Sequence, residues 1–241
     1  MIPKVIHYCW FGGKPLPWDV EKCIKSWKKQ CPDYKIVQWD ESNLDVNSHP
    51  FMKAAYEAKA WAFVSDYARL WVIYNHGGVY LDTDVELLKN LDAHLEHSAY
   101  FGIQQSDRRV NTGLGFGAEA GHSAIGAMME QYDRTAFDND RRVEIACPVL
   151  NTAALEGFGY CYSEDVQYLH SGVVVYPTRF FDPQAPGDTQ NLTCKDSVSI
   201  HHYSNTWLSG KSRLKRQLIR LIGQERVIRL RNFLRKQKKK G

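Results

Sequence analysis

Two carboxylates one residue apart are the groups in this sequence best suited to chemistry. Asp82 and Asp84 directly follow Val79-Tyr80-Leu81, a short run with the β-branched and aromatic character of a buried strand. Gly77-Gly78, just before that run, suits the end of a preceding helix. We therefore expect both aspartates at the carboxyl end of a strand, which is where open α/β sheets bind their ligands.

Carboxylate oxygens at this spacing suit Mn²⁺ or Mg²⁺ held jointly with substrate phosphates, because small divalent ions often take only one or two protein carboxylates. The alternative is a solvated turn or a helix cap, the common origin of an isolated Asp-x-Asp. The apolar strand before Asp82 and the polar positions described next favour the ion.

Further polar and aromatic positions could complete such a site. Asp66 and Arg69 stand three apart in a helical pattern, so they share one helical face and can pair with each other or with a ligand. His201 and His202 end another alternating strand, and Trp207 follows them; together they could supply a third metal ligand and an aromatic lid. The alternatives are an ordinary surface ion pair and a structural buried histidine.

The elements that must position these groups alternate between strands and helices, beginning β-α-β as nucleotide-binding α/β folds do. The patterns predict strands at 4–11, 34–39, 79–81, 100–104, 172–177 and 197–203, and helices at 18–30, 51–76, 122–132 and from 147. The glycine-spaced segment 111–118 suits a strand or a loop that approaches a ligand closely.

The charge of this 241-residue chain is unevenly distributed. The net charge is +4, but residues 211–241 hold 13 Lys or Arg and a single acid, Glu225, which leaves 1–210 at −8. Hydrophobic content of 44% and charged content of 24% are those of a globular protein. We therefore predict an α/β catalytic domain over 1–210 and a basic amphipathic helical tail over 211–241.

The tail carries apolar residues on one helical face and basic residues on the others, which suits an anionic membrane surface. The alternatives are a solvated helix or one packed on the body; nucleic acid is not expected, since the body is acidic and no reader motif is present. No run approaches the ~20 apolar residues of a membrane span, and the N-terminus lacks a signal peptide's apolar region. With six scattered cysteines read as reduced thiols, we expect a cytoplasmic protein peripherally associated with the inner face of the plasma membrane.

Four segments in one order resemble a single family: IPKVIHYCWFGG (2–13), SDYAR (65–69), GGVYLDTD (77–84) and IHHYSNTW (200–207). They are similar to the DXD-containing glycosyltransferases of the capsular polysaccharide synthesis type, related to the yeast initiating mannosyltransferase and distantly to the clostridial glucosylating toxins. The resemblance is strong over 1–120, thinner to about 210 and absent in the tail. It implies a GT-A-type, Rossmann-like mixed sheet flanked by helices and a Mn²⁺- or Mg²⁺-dependent, retaining transfer from a nucleotide sugar.

The same resemblance implies roles for single residues. Those expected to contact the donor are Trp10, stacking on the base, Asp66 and Arg69, contacting ribose and sugar, Tyr80, near the nucleotide, Asn111, near the sugar, and Trp207, in the closing segment. Asp84 looks like the direct metal ligand, Asp82 faces the ribose and reaches the phosphates through the ion, and His201 or His202 completes the metal site.

The function implied is transfer of a hexose, with UDP-hexose as the expected donor, to a saccharide or lipid-linked oligosaccharide of a bacterial capsule, O-antigen or lipooligosaccharide. One alternative is a haloacid dehalogenase-type phosphatase, with Asp82 as nucleophile; Glu86 then stands where that class has Thr or Val. A glycosidase needs two carboxyl groups about 5–10 Å apart, whereas neighbouring aspartates suit a metal better. The non-enzymatic alternative is an inactive, membrane-bound sugar-binding protein.

Overall fold

The computed structural model describes residues 1–186 and 190–204. Within these residues the helices α1 to α6 and the strands β1 to β9 follow one another along the chain. The helices are α1 Trp18–Gln30, α2 Pro50–Glu57, α3 Trp61–His76, α4 Ser123–Asp133, α5 Cys147–Glu156 and α6 Thr178–Phe181. The strands are β1 Val5–Cys9, β2 Lys35–Trp39, β3 Gly78–Tyr80, β4 Val85–Leu87, β5 Ala99–Gly102, β6 Phe116–Ala118, β7 Gln167–Tyr168, β8 Val173–Tyr176 and β9 Ser199–His201.

Seven of these strands form a mixed sheet in the order β2-β1-β3-β6-β5-β8-β7. β1 runs parallel to β2 and β3, β5 runs parallel to β8, and β6 and β7 run against their neighbours. A separate antiparallel pair, β4 with β9, lies just beyond the carboxyl end of β3. That pair brings the end of the described chain back to the two aspartates.

The core lies on both faces of the sheet, because alternate residues of each strand point to opposite sides. Tyr80 and Phe101 join the hydrophobic cluster that packs against α2, α3, α4 and α5, whereas Val79 and Tyr100, their neighbours in sequence, join the cluster that packs against α1. Helices therefore cover both faces. The carboxyl end of β3 is the edge at which the chain leaves the sheet with polar side chains.

The predicted α/β class, a mixed sheet flanked by helices, is confirmed. Helix α1 has the predicted bounds, and Gly77 caps α3 with a φ of +64°, a conformation that suits glycine. One prediction is wrong: the helical pattern over 51–76 is two helices, broken where Lys59 takes a φ of +54°. Both segments carry the helical spacing of apolar residues, so that spacing did not reveal the turn.

Of the six cysteines, which are all free, four are buried and two, Cys161 and Cys194, are exposed. None of the helices in the described part of the chain combines the length and the apolar character that a membrane span requires. The predicted tail 211–241, the boundary near residue 210 and Trp207 lie outside the described residues.

Candidate metal and donor site

Three of the predicted residues meet at the carboxyl end of β3. Asp82 and Asp84 follow that strand, and His201 ends β9. One ligand atom from each, a carboxylate oxygen or an imidazole nitrogen, lies within 4.8 Å of the others. The strand pair explains the convergence, since the antiparallel register pairs His201 with Val85, the residue after Asp84.

The chain that follows β9 wraps around Asp84. The Nε2 atom of His201 lies 3.0 Å from Oδ1 of Asp84, and the backbone N–H of Ser204 donates to Oδ2 at 2.7 Å. The backbone N–H of His202 donates to the Asp84 carbonyl at 2.9 Å. Asp84 is therefore held by three residues of the closing segment, of which the structure describes 201–204.

His202 points elsewhere. Its Nε2 atom lies 2.8 Å from Oε2 of Glu86, and it is not part of the carboxylate and imidazole group around Asp84. Because side chains alternate along an extended chain, only one of two adjacent histidines can face a given site. The structure brings His201 to the aspartates and leaves His202 outside, so of the two predicted ligands only His201 is in place.

Arg69 is the buried centre of a second group beside the first. Only 3% of its side chain is exposed, and it pairs with Asp82 at 2.9 Å and with Asp66 at 3.1 Å. Its guanidinium also lies over the Tyr80 ring, 5.1 Å from the centroid. The predicted pairing of Arg69 with Asp66 is thus present, and it extends to the first aspartate of the motif. Arg69 fixes the position of Asp82.

The pKa values of the two aspartates shift in opposite directions. Burial would raise the pKa of Asp84, but the His201 ring and the hydrogen bonds to its carboxylate outweigh burial and lower the pKa to about 2. Burial raises the pKa of Asp82 despite the opposing charge of Arg69. Burial also raises the pKa of Asp66 to about 6, against the same guanidinium. Asp84 is therefore the carboxylate most firmly held in the ionised form that a metal requires.

The residues present fit Mn²⁺ or Mg²⁺. Two carboxylates and one imidazole match the ligands that these ions accept in proteins. Arg69 and a protonated His201 bring two positive charges against Asp66, Asp82 and Asp84, so the group stays net negative in either protonation state of the imidazole. A diphosphate would be repelled from such a site unless a cation offsets this charge.

Trp10 and Tyr80, both predicted to contact the donor, differ in burial and in their hydrogen-bond partners. Trp10 directly follows β1, is half-buried, and donates its indole N–H to the Lys14 carbonyl at 2.6 Å, which ties down the loop after the strand. Tyr80 is only 1% exposed, and its hydroxyl donates to Asp82 at 3.1 Å. Tyr80 thus offers almost no surface to a ligand and acts here by holding Asp82.

Asn111 uses its amide within the protein. Its Oδ1 accepts from the backbone N–H of Gly113 at 2.8 Å, and its Nδ2 donates to Gln104 at 3.0 Å. The amide therefore shapes the short turn Thr112–Leu114, which lies against Asp82. Direct contact of Asn111 with a donor sugar stays a prediction.

Sequence reasoning missed four residues that the fold adds to this group. Thr112, Gly113, Cys147 and Asn151 are all buried. Asn151 donates to Thr112 at 2.8 Å, and Cys147 lies 3.5 Å from the Arg69 guanidinium. The glycine spacing of 111–118 and the predicted helix start at Cys147 marked the segments, but no spacing rule joins residues so far apart in the chain.

Comparisons with known proteins agree with this site. Residues 17–101 match the family model described as "Glycosyltransferase sugar-binding region containing DXD motif", a stretch that includes Asp66, Arg69, Asp82 and Asp84. The resemblance predicted from the motifs is thereby confirmed: across this region the chain is related to the DXD-containing glycosyltransferases. Trp10, Asn111 and His201 lie outside the matched stretch.

Curated relatives carry names of the same class. The chain is 30% identical over 145 residues to inositol phosphoceramide mannosyltransferase 3 of Schizosaccharomyces pombe, covering 57% of this chain and 39% of that protein. It is 32% identical over 107 residues to an uncharacterized glycosyltransferase, L373, of Acanthamoeba polyphaga mimivirus, covering 42% and 43%. These names agree with the predicted enzyme class, a glycosyltransferase. The chain spans well under two thirds of the length of either relative.

Two solved structures are similar at lower sequence identity. The PaToxG glycosyltransferase has a TM-score of 0.49 and 18% identity, over 65% of this chain and 69% of that one. The galactosyltransferase LgtC, solved with donor and acceptor sugar analogs, has a TM-score of 0.43 and 14% identity, over 88% and 94%.

Proposed function

We propose that this protein is a divalent-metal-dependent glycosyltransferase that moves a hexose from a nucleoside-diphosphate sugar, with UDP-hexose as the donor, to a saccharide acceptor. The observation that carries the proposal is the convergence of Asp82, Asp84 and His201 within 4.8 Å, beside the buried Arg69. Both aspartates and Arg69 lie in the stretch that matches the sugar-binding family model.

Bound Mn²⁺ or Mg²⁺ would supply a Lewis acid that stabilises the negative charge of the departing diphosphate. Asp84 and His201 are the residues that would hold the ion directly. Asp82, fixed at Oδ1 by Arg69 and Tyr80, offers a carboxylate oxygen within 4.8 Å of the ligand atoms of the other two. Arg69 adds a fixed positive charge that needs no rearrangement as the reaction proceeds, which is how preorganised sites lower barriers.

We infer that the transfer retains the anomeric configuration, as the resemblance implies. The acceptor hydroxyl then forms its bond to the anomeric carbon on the face from which the diphosphate oxygen departs. A phosphate oxygen takes the proton of that hydroxyl. In this scheme the ion site would hold the leaving group, Arg69 acts through its charge and by fixing Asp82, and neither aspartate serves as the nucleophile.

The proposed biological role is synthesis of a bacterial surface polysaccharide, with a lipid-linked oligosaccharide as acceptor. Support comes from the charge pattern of the sequence, an acidic body followed by the basic amphipathic segment 211–241. Each basic residue near an anionic bilayer contributes roughly 1 kcal/mol of binding. The full-length protein should therefore sediment with anionic liposomes and not with neutral ones; equal partition between the two would remove the membrane assignment.

The decisive experiment incubates the protein with a panel of nucleotide sugars, with and without Mn²⁺, and measures release of nucleoside diphosphate. Such transferases slowly pass the sugar to water, so no acceptor is required. Asp84→Asn should lower release by about 100-fold or more, because it removes a charged ligand of the ion. The chain offers a matched control in a second Asp-x-Asp, Asp138-Asn139-Asp140: Asp140 is exposed, and Asp140→Asn should leave release unchanged.

Two results would replace this function. Phosphate release from aryl phosphates, with no activity on any sugar donor, would favour the phosphatase alternative. Donor binding with neither transfer nor hydrolysis would favour the inactive sugar-binding protein. Equal release by Asp84→Asn and the unchanged protein would remove the metal role of Asp84.

A further inference from the structure

The closing segment contains one residue, Tyr203, whose backbone is strained and must be stabilised by contacts with the rest of the protein. Tyr203 has a φ of +48°, in the left-handed region that costs free energy for any residue except glycine. Residues on both sides of it contact Asp84. His201, two positions earlier, does so through its imidazole, and Ser204, the next residue, through its backbone N–H. The turn at Tyr203 is therefore what allows one short segment to reach both carboxylate oxygens of Asp84.

Tyr203 is anchored at both ends of its side chain. Its ring lies against the His201 ring with 4.0 Å between centroids, and its hydroxyl donates to Oδ2 of Asp182 at 2.9 Å. Asp182 directly follows α6 and is fully buried. The same Oδ2 accepts the backbone N–H of Gln105 at 2.7 Å. Asp182 thus ties the closing segment to the loop after β5.

Two buried polar atoms in this group have no hydrogen-bond partner among residues 1–186 and 190–204. One is Oδ1 of Asp182, and the other is Nδ1 of His201, the ring nitrogen that faces away from Asp84. Buried polar atoms are rarely left unpaired. Oδ1 of Asp182 is an acceptor and Nδ1 of His201 is a potential donor. Both side chains contact Tyr203, so the two atoms can satisfy each other.

The two side chains are also close enough for their charges to interact.

We propose that Asp182 is the positioning carboxylate of His201. It accepts a hydrogen bond from Nδ1–H of His201 at Oδ1 across one water, and holds Tyr203 against the ring through Oδ2. The proton on Nδ1 leaves the lone pair of Nε2 facing Asp82 and Asp84, which is the tautomer a metal ligand needs. Metal-binding histidines in general rely on such a carboxylate or carbonyl partner. The inference rests on the proposed metal-dependent function and adds the residues that orient the imidazole.

The test measures Mn²⁺ affinity directly, by electron paramagnetic resonance of the free ion, in the full-length protein. Asp182→Asn keeps the size of the side chain but removes its charge, and Tyr203→Phe removes only the hydroxyl. Loss of such a partner lowers metal affinity by roughly 10- to 100-fold. We expect that loss for Asp182→Asn and a smaller loss in the same direction for Tyr203→Phe. In both variants saturating Mn²⁺ should restore most of the donor hydrolysis rate, because Asp182 is fully buried and acts through His201.

The chain contains a matched control. Tyr34 donates to Asp92 at 2.8 Å, a hydrogen bond of the same type near Lys4, at the amino end of β1. Tyr34→Phe and Asp92→Asn should leave Mn²⁺ affinity unchanged even if they lower the thermal midpoint.

Unchanged Mn²⁺ affinity in folded Asp182→Asn and Tyr203→Phe would overturn the inference, and if Asp182→Asn does not fold, Tyr203→Phe decides alone. Equal losses in the Tyr34 and Asp92 controls would overturn it too, since the effect would then be general destabilisation. A wild-type protein that binds no Mn²⁺ would overturn the proposed metal-dependent function, and the inference with it, so the two failures are distinguishable.

Discussion

Gly113 brings the backbone close to Asp82 in the candidate metal site, and replacing it with alanine tests the geometry. A Cβ atom there would lie 2.6 Å from Oδ2 of Asp82 and 3.0 Å from Oδ1 of Asn111. An ordinary C···O contact is about 3.3 Å, so the Asp82 oxygen would have to retreat by about 0.7 Å. It cannot do so freely, because Arg69 and Tyr80 hold the other oxygen of Asp82 at 2.9 Å and 3.1 Å.

Two consequences follow from that displacement. Overpacking of a buried site costs about 1–3 kcal/mol of unfolding free energy. A misplacement of about 1 Å in a catalytic group costs on the order of 100-fold in rate, so the smaller shift at Asp82 should reduce donor hydrolysis by roughly 10- to 100-fold. Both effects should be present in Gly113→Ala and absent in a glycine variant remote from the site.

The assay is Mn²⁺-dependent release of nucleoside diphosphate, combined with thermal unfolding. Gly126→Ala is the matched control: Gly126 lies inside α4, where a Cβ would meet the Tyr74 ring at an ordinary 3.4 Å, and alanine in a helix should stabilise by about 0.5–1 kcal/mol. Wild-type stability together with wild-type turnover in Gly113→Ala would refute the placement of Asp82 against Gly113. A loss of stability without any loss of turnover would refute its catalytic part alone.

Three further predictions concern single side chains. Arg69→Met should lower turnover strongly and also destabilise the protein, by about 3–5 kcal/mol, because it leaves the Asp82 carboxylate buried without its partner; a thermal midpoint equal to that of the wild type would contradict the buried pairing. His201→Ala should weaken Mn²⁺ binding in a titration by at least about 10-fold, whereas His202→Ala should not, and the reverse result would mean that the observed register of β9 is wrong. Burial lowers the pKa of His94 to about 4, so between about pH 6.5 and 4 the unfolded chain binds a proton that the folded chain does not; stability should fall as pH falls through this window, by up to about 3 kcal/mol from this residue, and chemical denaturation should show a shallower fall in His94→Leu.

The sequence predicted elements well where one local pattern decides them. Helix α1 has the predicted bounds because Val20, Cys23, Ile24 and Trp27 mark a single apolar face and Pro32 follows its end. The prediction failed where a turn interrupts a pattern without changing its period. The positive φ of Lys59 separates α2 from α3, and no proline or glycine near it marks the break.

The sequence by itself determined which residues could do chemistry. Asp82 and Asp84 follow a short buried strand, and Asp66 and Arg69 share a helical face, because these relations depend only on spacing along one or two elements. The same local patterns carried the resemblance to the DXD-containing glycosyltransferases.

Only the tertiary structure decided which distant residues join Asp66, Arg69, Asp82 and Asp84 in the site. The choice of His201 over His202 depends on the register of β9 against β4, a pairing across more than a hundred residues that spacing cannot encode. Gly113, Cys147 and Asn151 enter the site, and Asp182 approaches His201, for the same reason: each is placed by the packing of separate elements. Local sequence fixes the direction of a side chain relative to its own backbone, whereas contacts between elements depend on how the whole core closes.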